Sequence, residues 1–178
     1  MKKKFCFITL IAFFICFFAG LCGLPLINAV SLSARKNQSQ KYYLNAAKLK
    51  HFEISYTHSV NKGRVTDFYS INSNNSLMLF KTRFVSYGAG IPEPEDFPGA
   101  VFAKTSSGYE ISGIDREIPR LVMAVGLIAE HKIVFFYSKE TLLVPYEYEL
   151  KSLFAPQTSI IIELKKVSLA DYILNKVR

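Results

Sequence analysis

Hydrophobic residues follow two different patterns along the chain, one at the N-terminus and another after it. Residues 5–21 form an almost unbroken apolar run without a charge, directly after Lys2, Lys3 and Lys4. Beyond this run, apolar and polar residues alternate with a period of two, the pattern of half-buried strands, and the helical period of 3.6 is rarely found. The pattern therefore predicts one N-terminal apolar helix followed by a domain built from strands.

Short polar segments separate the predicted strands, as in an antiparallel arrangement. Extended segments are predicted over 26–34, 42–44, 51–60, 65–71, 77–87, 101–104, 109–114, 120–129, 131–137, 142–150 and 159–164. The tail, 169–177, fits either a short helix or a last strand. The predicted fold class is all-β, an antiparallel sandwich or barrel-like domain after one N-terminal hydrophobic helix.

The basic head and the apolar run are typical of a segment that directs a chain across a membrane, with its lysines left on the cytoplasmic side. We expect 1–24 to be a signal peptide or membrane anchor and 25–178 to be an extracytoplasmic β-domain, either periplasmic or anchored to the outer face of the cytoplasmic membrane. Ala29 offers a small residue before a possible cleavage point, but Ile27 fits that motif poorly, so cleavage and retention both stay open. A lipoprotein attached through Cys22 is disfavoured because Leu21 precedes the cysteine.

The composition argues against several kinds of site in the predicted domain. The three cysteines, Cys6, Cys16 and Cys22, all lie at the N-terminus, so the predicted domain has no disulfide and no cysteine-based metal site. The net charge is +8, but the basic residues are scattered and form no arginine-rich stripe with stacking aromatics. We therefore expect no nucleic-acid binding and no cofactor.

A predicted hairpin, 51–60 paired with 65–71, holds the most informative residues. Alternation places every second residue of the first strand on the same face of the sheet: Phe52, Ile54, Tyr56, His58 and Val60. If the chain turns tightly at 62–63, His58 faces Asp67 across the hairpin, about 5 Å apart between Cβ atoms. A polar pair on an apolar face is costly unless satisfied. The predicted pair of His58 and Asp67 is either a structural pair that fixes the register or an imidazole oriented to bind a ligand, and both interpretations stay open. Alternation also turns His131 inward, but the chain lacks the ligand spacing that would predict a metal site.

A glycine-rich segment and a serine beside His58 each have a functional and a simpler structural interpretation. Gly88, Ala89 and Gly90 follow the third strand of this region, where backbone N–H groups can form an anion-binding nest, although a tight exit turn is the simpler interpretation. Ser59 neighbours His58, but successive residues of a strand point to opposite faces, and no Gly-x-Ser-x-Gly motif is present. An exported serine hydrolase is therefore less favoured than the functions considered below.

These segments, taken together, resemble a bacterial family. The segments Ser-Tyr-Thr-His-Ser-Val at 55–60, Asp-Phe-Tyr at 67–69, Phe-Val-Ser-Tyr-Gly-Ala-Gly-Ile-Pro at 84–92 and Ala-Glu-His-Lys-Ile at 129–133 are similar to the pattern of domain of unknown function 1850. The resemblance marks Tyr56, Thr57, His58, Ser59, Tyr87, Gly88, Ala89, Gly90 and His131. It departs at Asp67, where the family usually has Glu, and at Lys81, where the family often has Glu.

The resemblance implies a small exported or membrane-anchored protein that accompanies TRAP-type transporters of the TAXI class, which take up organic anions. We therefore expect a non-enzymatic accessory protein whose partners are the TRAP permease or the TAXI-type solute-binding protein. The alternative is a stand-alone periplasmic module that binds a small ligand or metal in a polar cluster of Tyr56, Thr57, His58, Ser59, Asp67, Tyr87, Gly88, Ala89, Gly90 and His131. Docking predicts an exposed apolar surface, whereas the binding module predicts a pocket at these residues.

Overall fold

The computed structural model describes residues 13–14, 20–74, 76–88, 90–139 and 142–177. Within them, eleven strands form two antiparallel sheets. The strands are β1 (Ile27–Ala34), β2 (Lys41–Asn45), β3 (Leu49–Thr57), β4 (Arg64–Ile71), β5 (Leu77–Phe84), β6 (Val101–Thr105), β7 (Gly108–Ile118), β8 (Leu121–Ala124), β9 (Lys132–Lys139), β10 (Leu142–Glu149) and β11 (Ser159–Val167). Short helices are α1 (Leu150–Leu153), α2 (Leu169–Asn175) and a 3₁₀ turn at Pro94–Asp96.

The two sheets pack face to face as an open sandwich. The small sheet has the order β2-β1-β11-β8, and the large sheet has the order β10-β9-β3-β4-β5-β7-β6. Their inner faces share a core that includes Leu32 and Ile162 from the small sheet and Phe52, Ile133 and Phe135 from the large one, all fully buried. Burial of each such side chain contributes about 1.5–3 kcal/mol, which makes this interior the main source of stability. The predicted all-β sandwich is confirmed.

Helix α2 packs against β2, where Tyr172 contacts a small apolar cluster that includes Tyr43 on the outer face of the small sheet. It begins after Ser168, whose hydroxyl accepts a hydrogen bond from the Asp171 backbone N–H at 3.2 Å. The Asp171 carboxylate then accepts a hydrogen bond from the Tyr43 hydroxyl at 2.8 Å and pairs with Lys41 on the same strand. The tail is thus a helix, one of the two structures that the sequence left open.

The N-terminal prediction falls mostly outside the described residues. Residues 13–14 and 20–23 are helical, and 1–12 and 15–19 are not described. None of the helices in the described ranges combines the length and the apolar character needed to cross a membrane.

Several strands end earlier than alternation predicts. β3 ends at Thr57 rather than at residue 60, β5 at Phe84 rather than 87, and β8 at Ala124 rather than 129. In each case the chain leaves the sheet to form a loop. The three loops, 58–63, 85–91 (described except for residue 89) and 125–131, lie at the same end of the sandwich. Thr57, Arg64, Phe84 and Lys132 are neighbours at that end of the large sheet.

The register of the β3–β4 hairpin differs from the predicted one. Ile54 faces Asp67, and Tyr56 faces Val65, whereas we expected His58 to face Asp67. The connection is a loop of six residues rather than a tight turn, closed by a hydrogen bond from the His58 N–H to the Gly63 carbonyl at 2.9 Å. Each β3 residue faces a β4 residue four positions before the predicted one. Because four is an even number, the inward and outward faces of both strands stay as predicted.

Candidate functional site

His58 and Asp67 do not form a pair, and the predicted contact between them is wrong. Asp67 lies on the inner face of β4, where its carboxylate accepts a hydrogen bond from the Thr82 hydroxyl at 2.7 Å. The residue is half-buried by its accessible area, yet its neighbours enclose the carboxyl group closely enough that desolvation raises its pKa, against the opposing effect of the Thr82 hydrogen bond. The carboxylate therefore belongs to the interior and His58 to the loop beyond the strand.

His58 instead packs against the glycine loop that follows β5. A Cβ atom built at Gly90 would lie 3.2 Å from His58 Nε2, and Gly90 has a φ of +84°, in the region that favours glycine. The Nδ1 atom of His58 accepts a 3.4 Å hydrogen bond from the Val60 N–H. Two predicted site residues thus meet through tertiary contact, and Gly90 is required by both its φ and the imidazole beside it.

Asn61 joins the same two loops, and sequence reasoning missed it. Its side-chain Nδ2 donates to the Ser86 carbonyl at 2.9 Å, and its Oδ1 accepts from the Gly63 N–H at 2.9 Å. A Cβ atom at Gly88 would lie 3.2 Å from Asn61 Nδ2, so Gly88 also allows a close approach. The available signal was an Asn two residues before a Gly in a turn, a spacing at which Asn side chains cap their own backbone. Ala89 lies outside the described residues.

His131 lies just before β9, at the third loop. Its Nδ1 accepts a hydrogen bond from the Gly126 N–H at 3.0 Å, and its ring lies 5.5 Å from the ring of Tyr56. Burial lowers the pKa of His131, and the nearby Arg64 guanidinium lowers it further, so the neutral imidazole is favoured. Burial raises the pKa of Tyr56 to about 12, with a further contribution from Asp67. Tyr56 therefore lies near both His131 and Asp67.

The backbone ties this third loop to the first. The Thr57 N–H donates to the Ala129 carbonyl at 2.7 Å, directly where β3 ends. The Ser59 carbonyl accepts from Lys62 Nζ at 2.7 Å within the first loop. Among the described residues, neither imidazole of the site is hydrogen-bonded to a hydroxyl group, and no group of three or more His, Cys, Asp or Glu side chains could hold a metal ion. The geometry at these residues is that of three loops joined by hydrogen bonds.

Tyr87 belongs to an aromatic cluster beside the glycine loop. Its ring lies 4.7 Å from Tyr109, 5.1 Å from Phe84 and 5.9 Å from Phe102. Phe84 is buried, whereas Tyr87 and Phe102 remain exposed. Tyr87 is thus held at the edge of the core with one side available to solvent.

The three loops together expose a set of apolar side chains that we call the three-loop surface. Its members are between 38 and 73% exposed: Val60, Val85, Tyr87, Leu127 and Ile128. Leu127 and Ile128 were assigned to a strand by alternation, but the chain turns there, and Glu130 adopts a φ of 48°. An apolar pair at a loop tip, flanked by Gly126, was the sequence signal for this feature.

The comparisons with known proteins give a family and nothing closer. No curated protein and no solved structure matches the chain. The profile of the family described as Domain of unknown function (DUF1850) matches residues 52–142, which include all the marked residues and the three loops. The match covers half of the chain, and the protein belongs to the DUF1850 family.

Proposed function

We propose that this protein is a non-enzymatic, extracytoplasmic accessory protein that docks onto a component of a TAXI-type TRAP transport system. The observation that carries the proposal is the three-loop surface, where the family's marked segments converge and apolar side chains are exposed. Exposed apolar residues that cluster at functional loops are typical of protein-interaction sites. A membrane-associated docking role explains why marked residues such as Gly90 and Thr57 hold loops in place.

Hydrogen bonds join the three loops to one another, and such bonds favour docking energetically. Asn61 joins the first two loops, and the Thr57 N–H joins the first and third by a 2.7 Å hydrogen bond. Loops that are already ordered lose little conformational entropy on association, so more of the contact energy appears as affinity. Val60, Leu127 and Ile128 supply aliphatic side chains, and Tyr87 supplies an aromatic ring with a polar tip, as in many interface cores.

The position of the surface favours one partner over the other. β1 begins at Ile27 at the end of the sandwich opposite the three loops, since Ala34, Ser159 and Ala124 lie at the loop end of the small sheet. A strand of this length spans about 26 Å. If the segment before Ile27 holds the domain at the membrane, the three-loop surface faces away from the bilayer. We therefore infer that the TAXI-type solute-binding protein, rather than the membrane-embedded permease, is the direct partner.

The rival interpretations receive less support. A stand-alone binding module would place a pocket at His58, Asp67, His131 and Gly90, but Asp67 is turned to the interior and His58 to the glycine loop. A hydrolase would need a hydroxyl nucleophile hydrogen-bonded to His58 or His131, and in both rings the described partner of Nδ1 is a backbone N–H.

The proposal is tested by measuring binding of the purified protein to the solute-binding protein and to the permease encoded in the same genome. The variant Leu127→Ser/Ile128→Ser removes the most exposed aliphatic pair of the three-loop surface. The matched control, Leu142→Ser/Leu143→Ser, changes an exposed aliphatic pair at the opposite end of the sandwich. We expect at least tenfold weaker binding of the solute-binding protein for the first variant and less than a twofold change for the control. Absence of binding to both partners by the unaltered protein would refute the proposal.

A further inference from the structure

A second region, remote from the three-loop surface, has the geometry of a small-molecule site. A cavity of about 370 Å³ opens at the side of the sandwich, where the large sheet extends beyond the small one. Its walls come from the inner face of β9 and β10 on one side and from β2, α2 and the residues that follow α2 on the other. The volume lies within the lower part of the range of about 300–1,000 Å³ that is usual for small-ligand pockets. None of the residues marked by the family resemblance lines it.

Tyrosine rings form much of this wall. Tyr146 and Tyr148 project from alternate positions of β10, and Tyr137 joins them from β9, with its ring 5.7 Å from that of Tyr146. Tyr172 approaches from α2. Burial raises the pKa of Tyr137 and of Tyr148, and the proximity of the other tyrosine hydroxyls raises both further, so these two hydroxyls stay protonated donors.

Most of these hydroxyls remain available. The Tyr137 hydroxyl donates to the Asn45 carbonyl at 2.8 Å. The hydroxyls of Tyr146, Tyr148 and Tyr172 have no hydrogen-bond partner among the residues that the structure describes. A ligand that enters the cavity therefore meets flat apolar ring faces together with several unused hydrogen-bond donors.

The charge at the rim has one sign. Lys48, Lys139 and Lys176 line the cavity, and the described lining residues include no Asp or Glu. None of these three lysines has an ion-pair partner among the described residues, in contrast to Lys41 nearby, which pairs with Asp171 at 2.8 Å. Three ammonium groups around a partly apolar cavity attract an anion, and the attraction is stronger there than in open water because the walls exclude solvent.

We propose that this cavity, the tyrosine–lysine pocket, binds a small aromatic carboxylate. The ring faces of Tyr146 and its neighbours would stack on the aromatic body, and the lysines would hold the carboxylate at the rim. An aromatic body of one or two rings fits the volume and the flat walls. The site is independent of the docking proposal, because its residues lie away from the three-loop surface. We therefore expect changes in the pocket to leave partner binding unaffected.

The test uses 2-naphthoate as the probe, with 2-naphthalenemethanol as a neutral compound of similar shape and decanoate as a carboxylate without rings. Titration of the purified full chain by isothermal calorimetry gives the three affinities. We expect saturable binding of 2-naphthoate at one site, at least tenfold weaker binding of the alcohol, and weaker binding of decanoate. Equal affinities for naphthoate and the alcohol, or no binding of naphthoate below 1 mM (about −4 kcal/mol), would overturn the proposal. Tighter binding of decanoate would overturn the aromatic assignment and indicate a fatty-acid site.

Variants locate the site. Lys139→Gln and Lys176→Gln should each weaken naphthoate binding threefold to tenfold, and Tyr146→Ser, which removes an exposed ring, should weaken it at least fivefold. Lys166→Gln is the matched control, since Lys166 is an exposed lysine of β11 outside the pocket. Circular dichroism checks that each variant is folded. If the control weakens binding as much as the pocket lysines do, the effect is one of net charge and the pocket assignment is wrong.

Discussion

Gly90 offers the sharpest test of how the loops are held together, because two physical effects at this position can be separated. The change is Gly90→Ala. An alanine at this position must adopt a φ of +84°, and its Cβ atom would lie 3.2 Å from His58 Nε2. Gly99→Ala is a matched control, since Gly99 has a φ of +87° and nothing lies within 4 Å of its Cβ position. The backbone cost is common to both variants, and the contact with the imidazole belongs only to Gly90.

The magnitudes follow from these two terms. A left-handed conformation costs an alanine roughly 1–2 kcal/mol, and the smaller entropy of its unfolded chain returns about 0.4–1 kcal/mol. We therefore expect Gly99→Ala to lower the free energy of unfolding by about 0.5–1 kcal/mol. Gly90→Ala must also displace the His58 ring from its rotamer, which adds about 0.5–1.5 kcal/mol. Gly90→Ala should thus be more destabilising than Gly99→Ala by about 1 kcal/mol.

Urea unfolding followed by circular dichroism measures these differences, and the chain has no Trp to serve as a fluorescent reporter. A double-mutant cycle completes the test: in a His58→Ala background, the cost of Gly90→Ala should fall to that of Gly99→Ala. Equal costs for the two glycine variants, or a cost at Gly90 that ignores the removal of His58, would refute the contact between the loops.

Three further predictions concern the residues beneath the three-loop surface. The pKa of His131 is lower in the native state than in the unfolded chain, where it is about 6.5, so below that pH the unfolded chain binds a proton before the native protein does. The free energy of unfolding should therefore fall as the pH drops from about 6.5 through the native pKa. The variant His131→Asn keeps an acceptor for the Gly126 N–H and should flatten that part of a pH series of urea titrations. The effect of Asp67 on stability has the opposite pH dependence: because its pKa is raised, the free energy of unfolding falls as the pH rises from 3.8 through the native pKa. The variant Asp67→Asn, which still accepts a hydrogen bond from the Thr82 hydroxyl, should therefore raise the free energy of unfolding at pH 7. A loss of stability at pH 7 would contradict the desolvation argument. Asn61→Ala removes two side-chain hydrogen bonds and should cost about 1–3 kcal/mol by the same assay, whereas a cost under 0.5 kcal/mol would show that the loops do not depend on it.

Alternation along the chain predicted the class of fold and the inner face of the hairpin, because the face of a strand residue depends only on whether its position is odd or even. Phe52, Ile54 and Tyr56 share the inner face with Asp67 for this reason, although every cross-strand partner differs from the prediction. The register depends on the length of the connection. Hydrogen bonds inside the loop, such as the one that Asn61 Oδ1 accepts from the Gly63 N–H, stabilise this length, and a periodic pattern does not reveal them.

Contacts between segments that are distant along the chain could not be predicted from local sequence patterns. The contact between His58 and Gly90 joins residues from two separate loops, and no local pattern encodes it. The segment 125–131 is apolar enough to be interpreted as a strand, but the His131 side chain and the Thr57 N–H hold it as a loop. The tyrosine–lysine pocket likewise requires β10 and α2 to meet, although Tyr146 and Tyr148 already alternated in the sequence.

Photo-crosslinking from the three-loop surface tests the proposed docking most directly. A p-benzoylphenylalanine residue replaces Ile128, and in a second protein it replaces Leu143, which is exposed at the opposite end of the sandwich. In cells that produce the TAXI-type solute-binding protein and its permease, irradiation should join the chain to the solute-binding protein from position 128 and not from position 143. Adducts with that protein from position 143 alone, or from neither position, would contradict docking through this surface.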